Sequence, residues 1–127
     1  MSVVVDASVI IALVVADEKQ DTVRGRVQGW LDAGDDLHAP AVLPFEIANV
    51  FARLVFDGVL DLSEVSDIWD DVAALGIELH PFDPTRDGAA VAAIAAALRK
   101  RHATDATYVA LARRLETTVW TRGPQCC

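Results

Sequence analysis

The segment Val3-Val4-Val5, followed at once by Asp6, constrains the fold of this chain more than any other feature. Three consecutive β-branched residues leave a strand no polar face. Such a strand must be covered on both sides, as strands of parallel sheets are. Parallel neighbours need a long crossover between them, usually a helix, and the rest of the sequence has that rhythm. Helical patterns run from Ser8 to about Ala16, over Asp21–Leu31, from about Leu43 to Asp57, from Ser63 to Gly76, from Pro84 to Arg101 and from Thr104 to Glu116. Short apolar strands lie between them at Leu37-His38-Ala39, Ile77-Glu78-Leu79 and Thr118-Val119-Trp120-Thr121. The punctuation agrees. Gly34-Asp35-Asp36 is a turn, Pro40 closes the second strand, Pro44 suits a first helical turn, Ser63 is a good N-cap, and Gly58 and Gly76 are stops. Alternating strands and helices with right-handed crossovers predict one three-layer α/β/α domain over residues 1–127. Its sheet is expected to be mainly parallel, with four strands and room for a fifth.

Hydrophobic residues make up 53% of the chain, enough to bury a core without disulfides or structural metals, and the 24% that are charged rule against wholesale disorder. The only cysteines, Cys126 and Cys127, are adjacent. They staple nothing across a fold and lack zinc-site spacing. The longest apolar runs, Val9–Ala16 and Ala89–Leu98, fall far short of the roughly 20 residues a membrane span needs. Met1-Ser2-Val3 has no basic region of a secretory signal. A soluble, cytoplasmic protein with no membrane partner is expected. The net charge of −8 argues against binding nucleic acid by bulk attraction, because phosphate affinity comes from clustered Lys and Arg. It remains compatible with a nuclease whose carboxylates gather around a cation, and it suits a basic protein partner.

Three acids stand where structure alone explains them incompletely. Asp6 sits where the first strand gives way to a helix, the end of a parallel sheet at which ligands bind, although an aspartate there also serves as an N-cap. Glu46 lies in a helix that is apolar over most of its surface (Leu43, Phe45, Ile47, Val50, Phe51, Leu54, Val55, Phe56). Its polar residues Glu46, Asn49, Arg53 and Asp57 form one narrow stripe. That stripe is either solvated or looks into a cleft, with Glu46 on a cation and Asn49 and Arg53 at the rim to meet phosphate. Asp105 opens a helix whose inward face is Tyr108, Leu111, Ala112 and Leu115, and its spacing places it on that buried side. The helix dipole favours an acid in the first turn; it does not account for one pointing inward. Burying ionised carboxylates is costly unless they are paired or hold a metal. Three at one end of a domain are relieved by a hard cation such as Mg²⁺, which also pairs with substrate phosphate.

Four segments, in order and over nearly the full length, resemble those of PIN domains. They are the apolar strand with Asp6-Ala7-Ser8-Val9-Ile10, Ala39-Pro40 followed by Glu46-Ile47-Ala48-Asn49-Val50, Asp105-Ala106-Thr107-Tyr108-Val109-Ala110-Leu111-Ala112, and Val119-Trp120-Thr121. Each alone is weak, but together they are specific. The size and compactness are similar to VapC-type toxins of toxin–antitoxin pairs. The resemblance implies a metal-dependent endoribonuclease with Asp6, Glu46 and Asp105 as catalytic, metal-binding carboxylates and Ser8 and Thr121 as supporting hydroxyls. It implies Mg²⁺, with Mn²⁺ as substitute, a homodimer, and a cognate antitoxin that plugs the acidic site with a basic side chain. The helical hairpin from about Leu43 to Leu75 is where such toxins tend to carry dimer and antitoxin contacts. One departure stands out. The family usually places a fourth acid two residues after the final-strand threonine, and this chain has Thr121-Arg122-Gly123. Its absence weakens a second metal site more than the first, and keeps a feeble enzyme or a non-catalytic interaction protein among the readings. A phosphatase using Asp6 as nucleophile fits less well, since such enzymes want a second Asp where Ser8 stands. Arg99-Lys100-Arg101-His102, the strongest basic cluster, either complements a helix C-terminus or guides an RNA backbone to Asp105. Trp69, with Ile68 and Val72, reads as core.

Overall fold

The Val3-Val4-Val5 run lies in strand β1, Ser2–Val5, and all three valines are buried, so both faces of the sheet are covered. The computed structural model describes residues 2–14, 20–100 and 103–121. After β1 come helices α1 (Ala7–Val14) and α2 (Gln20–Asp32), strand β2 (Asp36–Pro40), helices α3 (Leu43–Phe56) and α4 (Leu62–Ala74), strand β3 (Glu78–His80), helices α5 (Pro84–Ala97) and α6 (Thr104–Arg114), and strand β4 (Val119–Trp120). The sheet order is β3-β2-β1-β4, every pairing is parallel, and a fifth strand is absent among the described residues. Val4 pairs with both His38 and Val119, which makes β1 central. Helix α6 packs on β1, β2 and β4 with α5 outside it, while α1 gathers α2, α3 and α4. The core joins β1 to Ile10 of α1, Leu43, Ile47 and Phe51 of α3, and Tyr108, Val109 and Leu111 of α6. Trp69 meets Phe51 edge-on at 5.3 Å and is partly buried against this core, as its stripe predicts. Among the described residues no helix is long and apolar enough to cross a membrane.

Four local expectations need correction. Helix α5 stops at Ala97, not Arg101. Arg99 turns left-handed (φ 56°) and the Lys100 amide returns to the Ala95 carbonyl, a C-terminal cap that arginine supplies without glycine. The N-cap of α4 is Asp61, two residues before Ser63. The strand at Ile77-Glu78-Leu79 is displaced by one residue to Glu78–His80, and Pro40 is the last residue of β2 itself. Pro40 is tolerated there because the next amide, Ala41, carries the ladder on by donating to the His80 carbonyl at 2.9 Å. Last, α3 is less deeply covered than its composition predicts. Leu43, Ile47 and Phe51 are buried, but Phe45 and Phe56 are exposed.

Candidate active site

Helices joining parallel strands run against them, so their N-termini collect at the carboxyl edge of the sheet. Asp6 follows β1 directly, Glu46 sits in the first turn of α3 and Asp105 in the first turn of α6. Topology therefore brings the three acids to one edge, where helix dipoles also favour negative charge. The pairing of Val5 with Trp120 sets the ends of β1 and β4 side by side and places Thr121 next to Asp6. The Asp6 amide donates to the Trp120 carbonyl at 3.2 Å, which locks this junction.

Asp6 both caps and faces the cleft. Its Oδ1 accepts from the Val9 amide at 3.2 Å, the expected N-cap bond, and from Ser8 Oγ at 2.6 Å. Ser8 Oγ in turn lies 3.2 Å from Thr121 Oγ1. Ser8 and Thr121 thus fix the orientation of Asp6. On the other side of the cleft, the Tyr108 hydroxyl donates to Glu46 Oε1 in a short hydrogen bond. Tyr108 is buried on the inward face of α6 and reaches across to α3. It was legible only as part of that apolar face. The signal that marks it is its hydroxyl, three residues after Asp105, on a face otherwise made of Ala, Val and Leu.

Electrostatics tie the acids together. Burial raises the pKa of Glu46, the Tyr108 hydrogen bond opposes this, and repulsion from Asp105 and Asp6 raises it further. Burial first, and then the Glu46 carboxylate, push Tyr108 far above the ordinary phenol range, so the hydroxyl keeps its proton and donates. Asp105 differs from expectation: its side chain is 64% exposed. The helical spacing puts it beside Tyr108, but at the first turn that face has run past the core and opens into the cleft. Lys100 Nζ stands 3.7 Å from Asp105 Oδ2. Asp6, Lys100, Asp105, Tyr108 and Thr121 line one hollow of about 270 Å³. Glu46, Asn49 and Arg53 line a neighbouring groove with Ser8 and Ile11. The α3 stripe is therefore groove wall from Glu46 to Arg53, half-buried at Glu46 and exposed at Asn49 and Arg53.

The basic cluster divides. Lys100 joins the hollow, whereas the exposed Arg99 is not among the residues that line it. Arg101 and His102 lie outside the described residues, as do Arg122, Gly123, Cys126 and Cys127. A second rim, not anticipated from the sequence, flanks Thr121. Trp30 and Trp120 approach to 5.6 Å between ring centroids, and the Arg26 guanidinium sits 4.4 Å over the Trp120 ring.

The donor set fits a hard divalent cation. Carboxylate oxygens are the ligands Mg²⁺ and Mn²⁺ prefer, and the mutual repulsion felt at Glu46 is negative charge that a cation offsets. The one set of three or more His, Cys, Asp or Glu side chains among the described residues whose ligand atoms all lie within 4.8 Å of one another, however, is a different one: His38, Glu78 and His80 on β2 and β3.

An all-parallel sheet with three acids at its carboxyl edge makes this an α/β protein with an acidic site at that edge. The chain belongs to the PIN domain family, whose sequence model matches residues 3–125. PIN domains are generally nucleases, hydrolases that use divalent metal ions. Its fold is similar to that of PAE2754 from Pyrobaculum aerophilum, known from a crystal structure, with a TM-score of 0.71 at 18% identity over 98% of this chain and 76% of that one. No curated protein matches the sequence.

Proposed function

We propose that this protein is a Mg²⁺-dependent endoribonuclease and the toxin of a toxin–antitoxin pair. The observation that carries the reading is the gathering of Asp6, Glu46 and Asp105 at one sheet edge, with Glu46 electrostatically coupled to the other two. Those three carboxylates would hold the ion. When bound, it supplies Lewis-acid stabilisation of the phosphate and lowers the pKa of water at the site. The protein's own groups orient and position. Ser8 and the Val9 amide fix Asp6. Tyr108 holds Glu46 while keeping its own proton. Lys100, and Asn49 with Arg53 along the groove, offer charge and hydrogen bonds to the RNA backbone. The rim of Arg26, Trp30 and Trp120 beside Thr121 gives flat surfaces on which unstacked bases lie, which favours single-stranded RNA.

Partners are proposed on the same footing. Phe56, Val59 and Leu62 form an exposed apolar group at the α3–α4 turn, with Phe56 89% exposed. A patch of this kind supports a homodimer or antitoxin contact through that hairpin. The net charge of −8 supports an antitoxin with a basic segment. A second reading, a PIN-fold protein that binds its partner without turning over RNA, rests on Gly123 in the position of the family's fourth acid. One experiment separates the two: cleavage of a single-stranded RNA across a Mg²⁺ and Mn²⁺ titration, wild type against Asp6→Asn. The nuclease reading expects metal-dependent cleavage lost in Asp6→Asn. Metal binding with no turnover favours the second reading. Equal cleavage by both proteins marks a contaminant and ends the first.

A further inference from the structure

We infer that His38, Glu78 and His80 form a second metal site, for a borderline transition cation of the Zn²⁺ class, on the β2–β3 edge and separate from the carboxylate cleft. The register makes the cluster. His38 pairs with Glu78 and Pro40 with His80 across two parallel strands, so the three side chains share one face of the sheet. One ligand atom from each, all within 4.8 Å of one another, meets at a single point. His38 Nδ1 is 2.8 Å from His80 Nε2 and 3.3 Å from Glu78 Oε2.

The hydrogen-bond inventory shows that this point holds too few protons. Arg114 Nη2 lies 3.4 Å from His80 Nδ1, and a guanidinium only donates, so His80 Nδ1 is an acceptor. The His80 proton is then on Nε2 and is donated to His38 Nδ1. That leaves His38 Nδ1 and Glu78 Oε2 facing each other as two acceptors. It also leaves the His38 proton on Nε2, which is buried and has no partner among the described residues. His38 is only 6% exposed, yet it makes no bond on its inner side that a core histidine would be kept for. What its ring does is hold Nδ1 at the cluster.

A cation resolves the conflict between acceptors. Two imidazole nitrogens and a carboxylate are a donor set of Zn²⁺ sites that keep a fourth position open, and imidazole selects Zn²⁺, Co²⁺ or Ni²⁺ over Mg²⁺. The protons balance without release. His80 shifts its proton from Nε2 to Nδ1, and Arg114, already 3.5 Å from Asp87 Oδ1, keeps that carboxylate as its partner. The ion ties β3, a three-residue edge strand, to β2.

The test is calorimetric titration of Zn²⁺ into the full chain with Mg²⁺ in excess. The expected result is one Zn²⁺ per chain, with affinity at least tenfold weaker in Glu78→Gln and in His80→Gln. Asp6→Asn and the double variant Cys126→Ser/Cys127→Ser should bind as wild type does. Glu78 is 65% exposed, so Glu78→Gln folds even if His80→Gln does not. No Zn²⁺ uptake by the wild type overturns the inference. So does equal affinity in Glu78→Gln, or loss of binding in either the Asp6 or the cysteine variant.

Discussion

Two groups of potential ligands occupy the same sheet and are built on opposite plans. At the carboxyl ends of β1 and β4, Asp6, Glu46 and Asp105 come from one strand end and two helix starts and carry only oxygen donors, with Asp6 and Asp105 lining an open hollow and Glu46 the groove beside it. On the β2–β3 edge, His38, Glu78 and His80 come from adjacent strands, carry mostly nitrogen, and meet within 4.8 Å. Helix starts at a sheet edge leave space and positive dipole between them, which suits a hydrated ion with a phosphate beside it. Neighbouring strands about 4.8 Å apart leave no such space, and suit a closely held ion that fastens structure. The difference is in backbone origin before it is in residue type.

The substitution that separates the groups most strongly is Asp6→Asn. RNA hydrolysis should fall about 10³-fold, on the order of 4 kcal/mol of transition-state stabilisation. Zn²⁺ affinity at the histidines should stay constant, and a parallel loss of both would merge the two sites into one. Tyr108→Phe comes next. It removes the hydroxyl that orients Glu46 and nothing else, so kcat/KM should fall about tenfold with roughly 1 kcal/mol of stability lost. Steady-state kinetics and thermal melts read the two effects. Unaltered kinetics would show that Glu46 needs no positioning.

Glu46→Gln should act in the opposite direction on stability. The folded, metal-free protein holds the Glu46 proton more tightly than the unfolded chain, which ionises it at the ordinary carboxylate pH. Stability conferred by the neutral form is therefore present at low pH and is lost as pH rises through the carboxylate range. Glutamine escapes that loss and still accepts from Tyr108. Metal-free Glu46→Gln should melt higher at pH 7, by about 0.5 kcal/mol given how open the group is to water, and should be inactive. A lower melting temperature than wild type contradicts the electrostatic coupling. The smallest effect is expected for Lys100→Ala. Its ion pair with Asp105 is exposed, so stability should change by less than about 0.5 kcal/mol. The salt dependence of RNA binding should flatten by a slope of roughly 0.7, one phosphate contact on a single strand. An unaltered slope would remove Lys100 from the RNA path.

The two groups were also unequally legible in sequence. Val3-Val4-Val5 forces a covered strand, and an acid directly after such a strand is visible as a site because chain order and sheet edge coincide there. Glu46 is visible through its narrow polar stripe on an apolar helix, and Asp105 through its place on the inward side of a helix start. What the pattern missed is depth. Helical spacing places Asp105 on the face of Tyr108, yet a first turn can overhang the core, and this one does. The end of α5 was misplaced because Arg99 adopts a left-handed conformation with no glycine to announce it. The histidine group left no trace, because residue 38 and residues 78 and 80 become neighbours only through the register of β2 on β3. The Arg26–Trp120 contact is equally non-local, joining α2 to β4.

The most direct measurement is anomalous diffraction from crystals grown with Mn²⁺. The expected result is an anomalous peak bounded by carboxylate oxygens of Asp6, Glu46 and Asp105. A crystal of protein that cleaves RNA, with no peak at those carboxylates or with its only Mn²⁺ at His38 and His80, would contradict the central claim.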